Sequence, residues 1–221
     1  MKPDIIRAHE IAPQAWRNGG GQTRELRRWP RTDSPWQMRI SLADIEHDGP
    51  FSAFENVQRW FVVVSGAGVR LRFADDEKRL TNTSAPLCFE GGSPPDCQLI
   101  DGPTRDLNLM VREGSGSMHT TWDRLAWRTT SAQCGLFAAE AGFIHIGAKP
   151  MAPIAAHTLV WFEQTPPSSL LFEVLHPSTN PAGWWLSFTP LTPFTPVTPF
   201  TPSTPSTPST PFTPFTPKEQ R

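Results

Sequence analysis

Residues 16–25 read WRNGGGQTRE, residues 36–54 read WQMRISLADIEHDGPFSAF and residues 59–68 read RWFVVVSGAG. In the second stretch Met38, Ile40 and Leu42 fall on one face of a strand, and Arg39, Ser41 and Ala43 on the other, because strand side chains alternate. The DGP at Asp48 to Pro50 supplies a tight turn, and the third stretch is a nearly unbroken apolar strand ending at glycines. A strand with one packing and one polar face, followed by a strand apolar on both, predicts an antiparallel barrel with a mouth lined by polar groups.

The polar positions each admit two readings. On a solvated face Arg39 is ordinary; inside a barrel it is a cation in a low-dielectric cavity and requires an anionic partner or ligand. Asn18, Gly19, Gly20 and Gly21 make either a ligand-free turn or a loop whose bare N–H groups close over a ligand, with Thr23 on the strand after it. The run lacks the spacing of a dinucleotide or P-loop site. Farther along, DLNLMVR places Asp106, Asn108 and Met110 on one face and Leu107, Leu109 and Val111 on the other. That polar face either decorates a wet sheet or forms a second wall of the cavity. An Arg39–Asp106 pair would preorganise a pocket or neutralise the arginine. Arg59 is a further candidate, or an anchor for its turn.

These motifs in this order, WRNGGGQTRE, RISLADI, DGPFSAF, a strand ending in GAG, FEGG and DGPTRDLNLM, resemble the HutD/Ves family. The likeness is strong from about Ile5 to Met110 and weak to about Phe188. It implies a cupin-like chain: all-β, bicupin-like (RmlC-like jelly roll) antiparallel barrels, with residues 1–113 as the half bearing the pocket and 114–188 as a smaller half. Some members are encoded with histidine-utilisation enzymes. The resemblance therefore implies a role near histidine catabolism and a formylglutamate-like anionic metabolite as ligand. Arg39 would pair with its carboxylate, Ser41 and Asn108 would bond its polar remainder, and residues 18–21 would close over it.

A metal-binding cupin carries a paired HxH followed by glutamate, whereas this chain has Ser52, Phe54 and Glu55 near that place. His9, His47, His119, His145, His157 and His176 form no HxH or HxxxH pattern, so no metal, cofactor or catalytic residue is assigned. Cys88, Cys97 and Cys134 are too widely spaced for a CxxC motif and read as reduced, mostly buried thiols, Cys88 within the apolar run LCF. The formal net charge of −1 over 221 residues argues against a nucleic-acid partner. Arg17, Arg24, Arg27, Arg28 and Arg31 read as a solvated basic strand and turn. No apolar run reaches the ~18 residues of a membrane span, and MKPDIIRAHE lacks a signal-peptide core, which reads as cytoplasmic. Pairing of open sheet edges would make a homodimer, with no edge singled out.

Past residue 113, short apolar stretches separated by Gly, Pro and Ser predict more antiparallel sheet, with Trp122, Trp127, Trp161, Trp184 and Trp185 supplying core area. From Phe188 to Pro217 the chain is ten consecutive xTP triplets. Proline at every third position excludes helix and ladder and predicts a disordered, extended tail over residues 189–221, reaching ~90 Å at ~3.1 Å per residue. The leading function is a non-catalytic binding protein that senses an anionic metabolite. The alternatives are a cupin-type isomerase or hydrolase using Asp106 or converging histidines, and a scaffold that uses the tail as its contact.

Overall fold

The computed structural model describes residues 2–32, 35–176 and 179–191. The tail from residue 192 onward, and with it the expectation of disorder there, lies outside the described residues. In chain order the strands are β1 (Asp4–Arg7), β2 (Gln14–Ala15), β3 (Gly21–Trp29), β4 (Met38–Ile45), β5 (Gly49–Pro50), β6 (Gln58–Ser65), β7 (Val69–Arg72), β8 (Glu77–Leu80), β9 (Leu87–Glu90), β10 (Asp96–Leu99) and β11 (Thr104–Val111). They continue as β12 (Ser115–Thr121), β13 (Ala126–Trp127), β14 (Gln133–Ala138), β15 (Gly142–Ile146), β16 (Lys149–Ile154), β17 (Thr158–Phe162), β18 (Leu170–Val174) and β19 (Gly183–Thr189). The helical structure among the described residues is one short 3-10 turn at Ala8–Glu10. The chain is therefore all-β.

Four antiparallel sheets form two sandwiches. A six-stranded sheet β2-β3-β4-β11-β6-β9 faces a four-stranded sheet β5-β10-β7-β8, and a five-stranded sheet β1-β17-β14-β19-β12 faces a four-stranded sheet β13-β18-β15-β16. The first strand thus leaves its sequence neighbours and pairs with β17, Asp4 opposite Trp161.

Alternation along the central strands decides how the sandwiches meet. Met38, Ile40 and Leu42 of β4, Trp60, Val62 and Val64 of β6 and Leu107, Leu109 and Val111 of β11 share one core with Phe137, Leu159, Trp161, Trp184 and Leu186 of the five-stranded sheet. The opposite phase of β6, Phe61 and Val63, packs inside the first sandwich with Ile45, Val69, Leu71 and Cys97. The nearly unbroken apolar run of residues 60–64 is explained by this position, since β6 is buried on both faces. Each such side chain contributes about 1.5–3 kcal/mol on burial, so a one-residue slip that turned this set outward would be prohibitive.

Three expectations need correction. Trp161, Trp184 and Trp185 are fully buried, but Trp122 is 44% exposed and Trp127 half-buried. Cys97 and Cys134 are buried, yet Cys88 is exposed on the edge strand β9, where its neighbours Leu87 and Phe89 point the other way. The repeat does not exclude a ladder at its start: Phe188 and Thr189 belong to β19, with Phe188 opposite Gln133 and fully buried. Proline removes a donor only at its own position, and Pro190 falls just past the strand.

The basic cluster is also not a solvated face throughout. The pairing of β3 with β4 shifts between Glu25 and Arg27, a bulge that puts Arg27 opposite Ile40, on the face toward the second sandwich. Arg27 is 5% exposed and donates to Asp4 Oδ2 and Glu163 Oε1, each at 2.5 Å. A buried cation therefore ties β3 to the first strand and to the loop after β17.

Candidate functional site

The interior phase of the six-stranded sheet forms the floor of a cavity of about 670 Å³. Strand register sets its layout. Ser41 lies opposite Asn108, and Asn108 opposite Phe61. Arg39 lies opposite Met110, Met110 opposite Arg59, and Arg59 opposite Phe89. Arg39 and Arg59 thus stand two strands apart, roughly 10 Å between backbones, with Met110 between them. Residues 14–18, Thr23, Ala43, Pro50, Phe51, Ser52, Phe54 and Asp106 complete the lining.

Arg59 is the best-enclosed cation of the site. It is 6% exposed, and its guanidinium carbon lies 5.1 Å from the Phe51 ring, 5.8 Å from Phe54 and 5.1 Å from Phe89. These ring faces offset part of the cost of removing the charge from water. Nη2 donates to Asn108 Oδ1 at 2.9 Å, while Nε and Nη1 are buried with no hydrogen-bond partner among the described residues. Burial lowers the Arg59 pKa to about 10, against the opposing effect of Asp106. The group stays charged at neutral pH with two donors unsatisfied.

Asp106 is 1% exposed; its Oδ1 accepts from Asn108 Nδ2, and its Oδ2 has no partner among the described residues. Burial raises its pKa to about 8 despite the nearby Arg59 charge. The carboxyl is accordingly mostly neutral at pH 7 and able to donate from the unpartnered oxygen. Arg39 is less enclosed. Its Nε lies 3.2 Å from Glu25 Oε2, and burial lowers its pKa more than Glu25 restores it. The expected Arg39–Asp106 pair is replaced by Arg39 with Glu25 on β3 and by the chain Arg59–Asn108–Asp106 across β6 and β11. The bulge after Glu25 decides this, because it keeps Glu25 on the cavity face opposite Ser41 while sending Arg27 to the other side.

Seven of the ten residues singled out from the sequence line this one cavity: Asn18, Thr23, Arg39, Ser41, Arg59, Asp106 and Asn108. Gly19, Gly20 and Gly21 do not. The Gly19 and Gly20 N–H groups go to Trp16 O at 3.1 Å and Asn18 Oδ1 at 3.1 Å, and the Gly20 carbonyl accepts from Glu46 and His47. Gly21 is required by close approach, since a Cβ there would meet Asp44 O at 2.2 Å. Gly19 and Gly20 thus spend their N–H groups within the turn.

Sequence reasoning missed Gln14, Trp16, Phe51 and Phe54. Trp16 Nε1 donates to Thr23 Oγ1 at 2.7 Å, which fixes the indole at the wall. Phe51 and Phe54 were visible within DGPFSAF, but their relation to Arg59 depends on hydrogen bonds from Phe51 N to Pro95 O and from Phe54 N to Gly91 O. The six histidines do not converge. His119 meets Ser117, His145 lies 3.0 Å from Glu173, and His157 stacks on Phe137. Among the described residues no group of three or more His, Cys, Asp or Glu is placed to hold a metal. The cavity's own donor set, three arginines and one carboxyl without imidazole or thiol, does not fit a divalent cation. It fits an anion.

A family model described as HutD matches residues 8–178. Over 111 residues the chain is 36% identical to a protein of Pseudomonas putida described as an uncharacterized 21.2 kDa protein in the hutC 3' region, covering 48% of this chain and 56% of that one. The match spans little more than half the length of that relative. A crystal structure of a conserved protein of unknown function from Pseudomonas aeruginosa PAO1 superposes with a TM-score of 0.73 at 28% identity, over 86% of this chain and all of that one. HutD from Pseudomonas fluorescens SBW25 superposes with a TM-score of 0.73 at 23% identity, over 85% and 98%. A cupin 2 conserved barrel domain protein from Leptotrichia buccalis gives 0.50 at 10% identity, over 84% and 96%. The last two show the shared fold, a cupin-like pair of barrels.

Proposed function

Because the chain belongs to the HutD family, we propose that it is a non-catalytic receptor whose first barrel binds a small anionic metabolite and thereby regulates histidine catabolism. The observation that carries this reading is Arg59, buried in an aromatic cage at a cavity wall with Nε and Nη1 unsatisfied. A ligand carboxylate pairs side-on with Nε and Nη2 or end-on with Nη1 and Nη2, so one contact gives a partner to one of the two unsatisfied nitrogens and shares Nη2 with Asn108. Arg39 stands across Met110 as a second cation, and neutral Asp106 offers a donor to a carbonyl or amide oxygen. A formylated or amidated glutamate-like acid carries this set of groups. The histidine-pathway context is supported by the name of the family and by the description of the Pseudomonas putida relative.

The test is calorimetric titration of the full chain with formylglutamate, formiminoglutamate, urocanate and histidine, each repeated on Arg59→Ala. Saturable binding of one of the acids, lost in the variant, is expected. Absence of binding by all four removes the histidine-pathway ligand. One observation favours a second reading, an acid–base enzyme: a buried carboxyl titrating near neutrality inside a cavity is also what proton transfer needs. Chemical change of the bound compound, tracked by NMR and lost in Asp106→Asn, would establish that reading over the first.

A further inference from the structure

The second sandwich carries a groove of its own, about 520 Å³, lined in part by Trp127, Arg128, Thr130, Thr165, Pro166 and Pro167. Trp127 lies flat on the buried Trp185, with ring centroids 5.1 Å apart and planes 2° from parallel, so the indole is held rigidly. The chain leaves the fold beside this groove. Thr189 Oγ1 accepts from Ala132 N at 3.0 Å, Ser131 Oγ bonds Ser187 Oγ at 3.1 Å, and Thr165 Oγ1 donates to Ser131 O at 2.7 Å. The loop that forms one wall of the groove thus also fixes the exit point, after which Leu191 is 72% exposed.

Past this exit point the sequence has a period of three, LTPFTPVTPF over residues 191–200. A polyproline II helix has three residues per turn, so this period puts Leu191, Phe194, Val197 and Phe200 on one edge and leaves threonine and proline on the other two. Such ridges, whose backbone is already restricted by proline, dock in grooves walled by tryptophan and proline at low entropic cost. Ten residues at ~3.1 Å each span roughly 30 Å, enough to cross the groove from Thr189. Beyond Phe200 the edge turns to Ser203, Ser206 and Ser209, so that three polar positions separate this apolar stretch from Phe212 and Phe215. We propose that residues 191–200 fold back as a polyproline II segment and occupy the Trp127–Pro167 groove of the same chain.

The experiment is small-angle X-ray scattering of the full chain over a concentration series. It is compared with Phe194→Ser/Val197→Ser/Phe200→Ser, whose changes lie outside the described residues, and with Trp127→Ala, both checked by thermal melting. Docking predicts a maximum dimension roughly 20 Å larger in the triple variant, the difference of freeing about ten residues. The same expansion is expected in Trp127→Ala, with monomer mass throughout. Equal dimensions for the parent and the triple variant would overturn the proposal. So would expansion in the triple variant without expansion in a normally melting Trp127→Ala, which would place the tail elsewhere, or compaction that grows with concentration alongside a doubling of mass, which would place it on a second copy.

Discussion

Arg59 donates to Asn108 across the β6–β11 pair at 2.9 Å, and Asn108 passes the interaction on to Asp106. An amide between a guanidinium and a carboxyl keeps them from pairing directly, so the arginine retains its charge and two of its donors for something else.

Converting that amide to a carboxylate should therefore remove the anion site. Asn108→Asp places a negative charge against Arg59, and the affinity for formylglutamate should fall by at least about tenfold, or about 1.4 kcal/mol. Arg59→Lys should weaken binding similarly, because an ammonium lacks the two-pronged donor. Calorimetry checks both. Binding by Asn108→Asp as tight as by the parent would show that Arg59 does not carry the ligand's charge.

Asp106 gives the protein a pH dependence of definite sign. Its folded pKa of about 8 lies above the ordinary carboxyl value, so the folded state holds a proton that the unfolded state releases. The stability linked to this group is complete below pH 4, declines as pH rises and is lost above about 8, by up to about 1.4 kcal/mol per unit. Urea titrations from pH 5 to 9 should show this slope, and Asp106→Asn should remove it. Affinity for an anion should weaken over the last part of the same window, as the ionised carboxylate begins to neutralise Arg59.

The Arg27 junction distinguishes a buried from an exposed partner. Asp4 and Glu163 keep 42% and 49% side-chain exposure, whereas Arg27 keeps 3%. Arg27→Met frees two carboxylates that water can reach, and should cost about 1–2 kcal/mol. The double change Asp4→Asn/Glu163→Gln strands the buried cation and should cost more, about 3–5 kcal/mol. Denaturant midpoints decide, and the reverse order would mean that the guanidinium reaches solvent.

The glycine run should respond unevenly. At Gly21 an added methyl meets the backbone of Asp44, so Gly21→Ala should cost at least about 2 kcal/mol through overpacking. Gly19 has φ +70° and open space around its Cβ position, so Gly19→Ala should cost only the left-handed penalty, about 1 kcal/mol. Thermal melts of the two variants give the comparison.

The sequence by itself determined the all-β architecture and the two faces of its central strands. Period-two alternation in MRISLADI and TRDLNLMV assigned Met38, Ile40, Leu42, Leu107, Leu109 and Val111 to packing and Arg39, Ser41, Asp106 and Asn108 to a shared polar face. Alternation is local, and a face is fixed once a strand is. Partner choice across that face is not local. Only the tertiary structure decided that Arg39 meets Glu25, that Arg59 sits against Phe89 and Asn108, and that the arginine of the basic stretch at position 27 is buried against Asp4 and Glu163. Each depends on inter-strand register, on a one-residue bulge or on strands more than a hundred residues apart. A strand's own sequence sets which side a side chain faces, while the neighbours it finds there are set by the rest of the chain.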